Sequence, residues 1–307
     1  MEFGRVPLLQ QPDMKVTAAI GVINEAECIE QCVDYHASIG IDSFVIFDLG
    51  STDGTEDILK RLATRKNVRV IYEDMLSVTR RDANQPTSPL PHLMQQAAYD
   101  LFHPDYIAYI DPDEFWLPAS GKLQWEVYSK YDVLEVARYN VIPDAALAAG
   151  NWEIPNKNLQ DRVVFRDRIL LPFLSDLDHR APYIRHLIGP KICHRAKSLT
   201  ITLGNHSIMG SSPQTKLCPS DLVILHFPFS TFDRFQRKMR TAAAYINDNE
   251  SRIQGGEAWH WRLWVHAARN GLLREAYESQ FVADDEIQRL RQEGVVCCAR
   301  ELFTEPS

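Results

Sequence analysis

Four short apolar runs, separated by three amphipathic stretches, fill the first 115 residues and leave the chain few architectures to choose from. Lys15 to Val22 is the first run and reads as a strand. Asn24-Glu25 then opens a stretch in which Ile29, Cys32, Val33, His36 and Ile39 recur at helical spacing, and Gly40 ends it as a left-handed C-terminal glycine does. Asp42 to Phe47 reads as a second strand, Glu56 to Ala63 as a helix, Val68 to Tyr72 as a third strand, His92 to Phe102 as a helix and Tyr106 to Ile110 as a fourth strand. Strands and helices in strict alternation predict a Rossmann-type α/β fold, a mainly parallel sheet flanked by helices.

The remainder is less regular. Val133 to Val141 and Leu222 to His226 read as strands, with a loop-rich stretch over 142–220 between them. Helical patterns follow over Thr231 to Ile246, Glu257 to Glu275 and Asp284 to Gln292. This divides the chain into a mixed domain over 1–230 and a C-terminal helical extension over 231–307 packed on it. The segment from Glu73 to Pro91, rich in Asn, Pro, Ser and Thr, is long enough to act as a lid.

Composition narrows the classes. A net charge of −8 gives no global basic signature for nucleic acid. No run approaches the roughly 18 apolar residues of a membrane span. The N-terminus lacks the apolar core of a secretory signal. The six cysteines lack zinc-site spacing and read as thiols of a reducing compartment, so a cytoplasmic location is expected. Peripheral membrane contact stays open, although Asp284-Asp-Glu makes the last helix start acidic and ill suited to an anionic surface.

The chemistry concentrates at strand ends. Tyr106-Ile-Ala-Tyr-Ile runs into Asp111-Pro-Asp113-Glu114-Phe115, a buried strand delivering two carboxylates to the carboxyl edge of the sheet. That edge is where open α/β sheets bind ligands. Converging carboxylates call for a cation, and hard oxygen ligands suit Mg²⁺ or Mn²⁺ carrying a substrate's phosphates. Asp48, at the end of the second strand, reaches the same edge and begins the tight turn Asp48-Leu-Gly-Ser-Thr-Asp53-Gly-Thr. Asp53 can as readily cap the following helix as touch a ligand. Asn24-Glu25 follows the first strand at this edge and is compatible with both a helix start and ligand contact.

These motifs, in this order, resemble a glycosyltransferase family 2-like protein of the Asp-x-Asp-Glu-Phe branch, which also resembles glycosyltransferase family 92. The residues that carry the likeness are Ile23-Asn-Glu-Ala, Tyr35-His36, Ile39-Gly40-Ile-Asp, the Asp48 turn and Tyr109-Ile-Asp111-Pro-Asp113-Glu114-Phe115. A weaker echo in Gly204-Asn-His-Ser, Ile224-Leu-His226-Phe-Pro, Phe235 and Lys238 extends it to about residue 240. The resemblance implies a GT-A-like fold, a nucleoside-diphosphate sugar donor (UDP-sugar first), a divalent metal, and inverting transfer to a hydroxyl on a glycan, lipid-linked or small-molecule acceptor. It implies that Asp48 contacts the nucleotide, and that Asp111 and Asp113 face the ribose and the metal-diphosphate. One departure is Leu49, where many such enzymes carry a second acid.

Two aspartates give a metal too few ligands, so His226 at a strand end is the candidate third ligand, with His206 as its rival. Asp111, Asp113 and His226 thus form the expected metal set, and Asn24, Glu25, Asp48, Asp111 and Lys238 the expected donor contacts. Arg234, Arg237 and Lys238 share a helix face and could hold a diphosphate or form a solvated basic face, with Lys191 and Arg195 as weaker candidates. Asp176 and Asp178 are the expected general bases on the acceptor side, with His179 and Glu153 behind them. Glu114 adjoins the metal motif but turns the other way along an extended chain. Trp259, Trp261 and Trp264 read as packing between C-terminal helices rather than sugar stacking. Two other classes remain: a non-catalytic nucleotide-sugar-binding scaffold, and a phosphohydrolase or nucleotidyltransferase using the same Asp-x-Asp.

Overall fold

The parallel half of the sheet forms as the alternation requires. Strands β1 (Val16–Val22), β2 (Ser43–Asp48), β3 (Val68–Tyr72) and β4 (Tyr106–Tyr109) lie side by side in the order β3-β2-β1-β4, all parallel. The computed structural model describes residues 14–74, 89–152, 159–170, 182–195, 199–209, 214–248 and 259–304. Along β1, Val16, Ala18, Ile20 and Val22 enter one hydrophobic cluster while Ala19 enters another across the sheet, the period of two that a strand buried on both faces needs. Helices Ile29–Ile39 and Thr55–Leu62 cover the first face, and helix Pro89–Phe102 covers the second. Gly40 ends the first helix at φ 112°, the left-handed conformation that glycine adopts without strain.

The other half is mixed. It contains β5 (Glu114–Pro118), β6 (Val133–Asn140), β8 (Lys191–Arg195), β11 (Lys216–Leu217) and β12 (Leu222–His226). Among the described residues the nine-stranded sheet runs β3-β2-β1-β4-β8-β6-β12-β5, with β11 also beside β6. β8 is antiparallel to both β4 and β6, β12 is parallel to β6, and β5 is antiparallel to β12. The sheet is therefore mixed, with its parallel pairs in the majority. The stretch 142–220, expected to be loops, holds β8, β11 and three further short strands, β7 (Val163–Phe165), β9 (Thr200–Ile201) and β10 (Ile208–Met209). Strands of two to five residues with polar members, such as Lys191-Ile-Cys-His-Arg, carry too little apolar periodicity to announce themselves.

After residue 230 come helices Phe232–Asp248, Trp259–Arg269, Leu273–Glu278 and Asp284–Gln292. The single helical pattern expected over Glu257 to Glu275 is broken at Gly271, which sits at φ 74°. The tail is also not wholly helical, because β13 (Val296–Cys298) returns to pair antiparallel with β7. Trp264, Phe235, Tyr277 and Leu290 pack with Phe229, Tyr183 and Ile142 in a cluster of their own. Among the described residues no helix is long and apolar enough to cross a membrane. The six cysteines are unpaired, and all but Cys218 are buried.

Candidate active site

Backbone direction assembles the site. β4 ends at Tyr109, and the chain turns through Asp111-Pro112-Asp113 before β5 sets off antiparallel to β12. The turn is held by Glu114 N–H donating to the Asp111 carbonyl at 2.9 Å and Phe227 N–H donating to the Asp113 carbonyl at 2.8 Å. In register, His226 faces Glu114 on one side and Asn140 on the other. β8 runs against β4, so its first residue, Lys191, arrives at the edge where β4 finishes. Arg195 pairs with Tyr106 at the opposite end of the same strands, roughly 13 Å away at 3.3 Å per residue. Arg195 is thereby removed as a diphosphate candidate, and Lys191 is placed at the site.

Two ion-pair groups occupy the edge. In the first, Asp113 Oδ2 accepts from Lys238 Nζ at 2.6 Å and from the Arg234 guanidinium at 3.1 Å. Arg234 also donates twice to Glu25 Oε2, at 2.7 and 3.1 Å, and lies over the Trp152 ring at 5.2 Å. Burial opposes ionisation of Asp113, but the charges of Lys238 and Arg234 outweigh it and hold the carboxyl well below the usual range. In the second group, Lys191 Nζ donates to Asp111 Oδ2 at 2.7 Å and the Arg138 guanidinium to Glu114 Oε1 at 2.6 Å. Glu114 has no solvent exposure. Burial and the Asp111 charge push its carboxyl up to about 6 against the pull of Lys191 and Arg138. Glu114 thus faces away from Asp113, as the extended chain suggested, and its work is to hold Arg138.

Four carboxylates (Glu25, Asp111, Asp113, Glu114) therefore meet four cations (Arg138, Lys191, Arg234, Lys238). Arg234, Arg237 and Lys238 do not act as one basic face. Arg237 pairs with Glu27 at 2.8 Å, and Arg234 is committed to the two acids at its sides. Lys238 alone of the three lines the cavity.

His226 is held as a neutral ligand would be. Asn140 Nδ2 donates to the Tyr183 carbonyl at 3.2 Å, which leaves Asn140 Oδ1 to accept from His226 Nδ1 at 2.7 Å. That assignment puts the lone pair on Nε2, 3.8 Å from Asp113 Oδ1. Burial brings the imidazole down to about 3, so it is uncharged at neutral pH. At 3.8 Å the two atoms are wider apart than the ~3.0 Å between adjacent ligands of an octahedral Mg²⁺ or Mn²⁺, so holding one ion would draw them together. The expected trio of Asp111, Asp113 and His226 does not converge: no group of three such side chains able to hold a metal occurs among the described residues. Lys191 takes the Asp111 carboxylate instead. His206, the rival ligand, donates from Nδ1 to the Pro190 carbonyl at 2.8 Å beside Arg138, and does not join Asp113.

The first two strand-end turns are clasped together. Asn24, at φ 58°, accepts on Oδ1 from Thr52 N–H at 2.7 Å, and Glu25 N–H donates to Thr55 Oγ1 at 2.9 Å. Asp48 accepts from Ser51 N–H at 3.0 Å within its turn, while Leu49 lines the cavity. Asp53 accepts from Thr55 N–H at 3.1 Å and from Ala26 N–H at 3.3 Å, tying the two turns together, while Gly54 holds the N-cap position of the helix without a side-chain cap. Asp176, Asp178, His179 and Glu153 lie outside the described residues.

A cavity of about 430 Å³ opens on Asp111, Asp113, Lys191, His226 and Lys238. Aliphatic side chains including Leu49 and Met94 wall one side, and Phe235, Trp261 and Trp264 of the C-terminal helices wall the other. Arg138, Asn140, Tyr183 and His260 were not singled out in the sequence. Arg138 and Asn140 sit within a strand, His260 within a helix and Tyr183 in a short turn, and no motif marks any of them.

No family model and no curated protein matches the chain. Solved structures do, distantly. The chain is 14% identical to S. aureus TarS 1-349 in complex with UDP, covering 60% of this chain and 47% of that one at a TM-score of 0.35. For TarS 1-349 alone the figures are 13% identity, 76% and 66% coverage and a TM-score of 0.38. For the WbbM bifunctional glycosyltransferase they are 14%, 44% and 24%, and 0.27. The chain thus spans about half the length of the UDP-bound TarS chain it resembles.

Proposed function

We propose that the chain transfers a glycosyl group from a nucleoside-diphosphate sugar, a UDP-sugar first among them, to a hydroxyl acceptor with inversion. The observation that carries this reading is the Asp113–His226–Lys238 arrangement at the carboxyl edge of the sheet, opening on one cavity. A leaving diphosphate needs preorganised positive charge where its own negative charge grows. Lys238 Nζ and Lys191 Nζ are held at the cavity by Asp113 and Asp111, ready to be shared with phosphate oxygens. Arg234 stays locked between Glu25 and Asp113 and keeps the Asp113 carboxylate ionised and oriented.

Asp113 Oδ1 and His226 Nε2 would hold a Mn²⁺ or Mg²⁺, with phosphate oxygens and water completing its shell. When bound, the ion supplies Lewis-acid stabilisation of the diphosphate. In the transfer, the acceptor oxygen bonds to the anomeric carbon as the bond to the diphosphate oxygen breaks with its electron pair. The transition state is oxocarbenium-like, as in glycoside hydrolysis. The acceptor's proton passes to a base, a role that fits Asp176 or Asp178.

The test is UDP release from a panel of UDP-sugars with Mn²⁺ present. Asp113→Asn is expected to lower turnover by about 10²–10³-fold, the scale of removing one preorganised charge-stabilising group. Full activity in that variant sinks the reading, and phosphate release from simple esters by the wild type replaces it with a phosphohydrolase.

A further inference from the structure

We infer that the aromatic wall around His260 is the acceptor subsite and that it takes a saccharide ring. This rests on the glycosyl-transfer reading and adds the acceptor class to it. Helix Trp259–Arg269 presents His260, Trp261 and Trp264 to the cavity. The imidazole sits in a box of rings. Tyr183 lies 4.7 Å away at 31°, Trp264 5.2 Å away at 72° and Trp259 5.6 Å away at 80°.

Within this box the Nδ1 atom of His260 is buried and has no hydrogen-bond partner among the described residues. An unpaired buried polar atom costs folding free energy, and a phenylalanine would fill the same space without that cost. His260 also lines the cavity, so its imidazole offers a polar partner to a ligand hydroxyl within the aromatic wall.

The three tryptophans divide their work. Trp264 is buried against Phe229 and Phe235, and Trp259 braces Tyr183 and His186. Trp261 is half-buried, packs on the rim of the same cluster, has ring contacts with Tyr245 and His260, and lines the cavity. All three rings pack, and of the two that line the cavity Trp261 is the less buried, which makes it the ring a ligand can cover.

The wall is tied to the donor end. Tyr183, whose ring lies tilted against His260, accepts on its carbonyl from Asn140, whose Oδ1 fixes His226. His226, Asn140, Tyr183 and His260 thus form one continuous row. A group bound against His260 is positioned relative to the diphosphate by rigid neighbours.

A pyranose matches this wall. Its axial C–H face stacks on an indole, and its equatorial hydroxyls can donate to or accept from an imidazole. An alkyl chain would cover the rings and leave His260 unpaired.

The experiment is saturation-transfer NMR on the full chain with UDP and Mg²⁺, using methyl glucopyranoside, methyl galactopyranoside and methyl N-acetylglucosaminide as probes and n-octanol as the competitor. At least one pyranoside is expected to show saturation on its ring protons. That signal should fall about tenfold in Trp261→Ala and in His260→Leu, while UDP affinity in both stays within about twofold of wild type. His260→Gln, which keeps a polar group, should recover part of the signal. Retained UDP affinity reports folding in each variant, and His260→Leu decides alone if Trp261→Ala does not fold.

No pyranoside signal, an unchanged signal in both folded variants, or octanol displacing the sugar would overturn the subsite. UDP binding without pyranoside binding removes the subsite and leaves glycosyl transfer standing. Trp261-dependent pyranoside binding without UDP binding does the reverse.

Discussion

The β3-β2-β1-β4 half of the sheet and the β8-β6-β12-β5 half meet at a single strand pair, β4 with β8, yet they are stabilised differently. The first half is parallel and apolar on both faces, each strand joined to the next through a helix. The second half carries its charge inside. Glu114, Arg138 and Lys191 are buried within it, and Arg234 reaches over it from a later helix. A hydrophobic half tolerates the loss of a methylene, whereas a half closed by paired charges does not tolerate the loss of one partner.

The sharpest way to break this comparison is Arg234→Ala. It removes the buried cation that bridges Glu25 and Asp113 and leaves the two acids to Lys238, and a loss of about 3 kcal/mol is expected in urea unfolding. A cost under about 1 kcal/mol would mean that the charged half is held by something other than its ion pairs.

Next in size is a pH effect where the first helix of the apolar half meets β5 of the other. His36 is fully buried, donating from Nδ1 to the Cys32 carbonyl and accepting on Nε2 from Trp116 N–H. Burial brings it down to about 4. The unfolded chain therefore binds the extra proton first, so this contribution is complete above about pH 6.5 and is lost as pH falls towards 4. Relative to His36→Gln, the wild type should lose up to about 3 kcal/mol between those pH values. A constant gap across the range would remove His36 from the account.

Ile46→Val, a methylene removed from β2, should cost about 0.5–1.5 kcal/mol and leave UDP affinity unchanged. Altered UDP affinity would show that the two halves are coupled through β1. Smallest of all, Arg61→Ala at the exposed pair with Glu30 should move stability by less than about 1 kcal/mol, checked by the same unfolding series.

The first half was legible because its signals are local. Gly40, the apolar period of Ile29 to Ile39 and the abrupt end of Tyr106 to Ile110 at Asp111 each state their role within one element. Asp113, His226 and Lys238 were legible as strand-end or helix-face residues, and the structure brings them together. The pairing of Lys191 with Asp111, and of Arg138 with Glu114, was not legible. The first depends on β8 entering the sheet antiparallel and the second on β12 lying between β6 and β5, and strand direction and order leave no mark on five residues. For the same reason Lys191 and Arg195 looked equivalent in sequence and prove to lie at opposite ends of one strand. Asp111 was counted as a metal ligand beside Asp113 because alternation alone cannot reveal that a lysine 80 residues later claims that carboxylate.

The long reach of these pairs has a consequence for synthesis. Asp113 emerges 125 residues before Lys238, and Glu25 emerges 209 residues before Arg234. Chains fold from the N-terminus as they are made, so the parallel half can form while its edge still carries unopposed negative charge. Like-charge repulsion at that edge then works against premature closure of the cavity. The last two of the four site cations, on helix Phe232–Asp248, complete the charge balance, and helix Trp259–Arg269 follows them to complete the cavity wall.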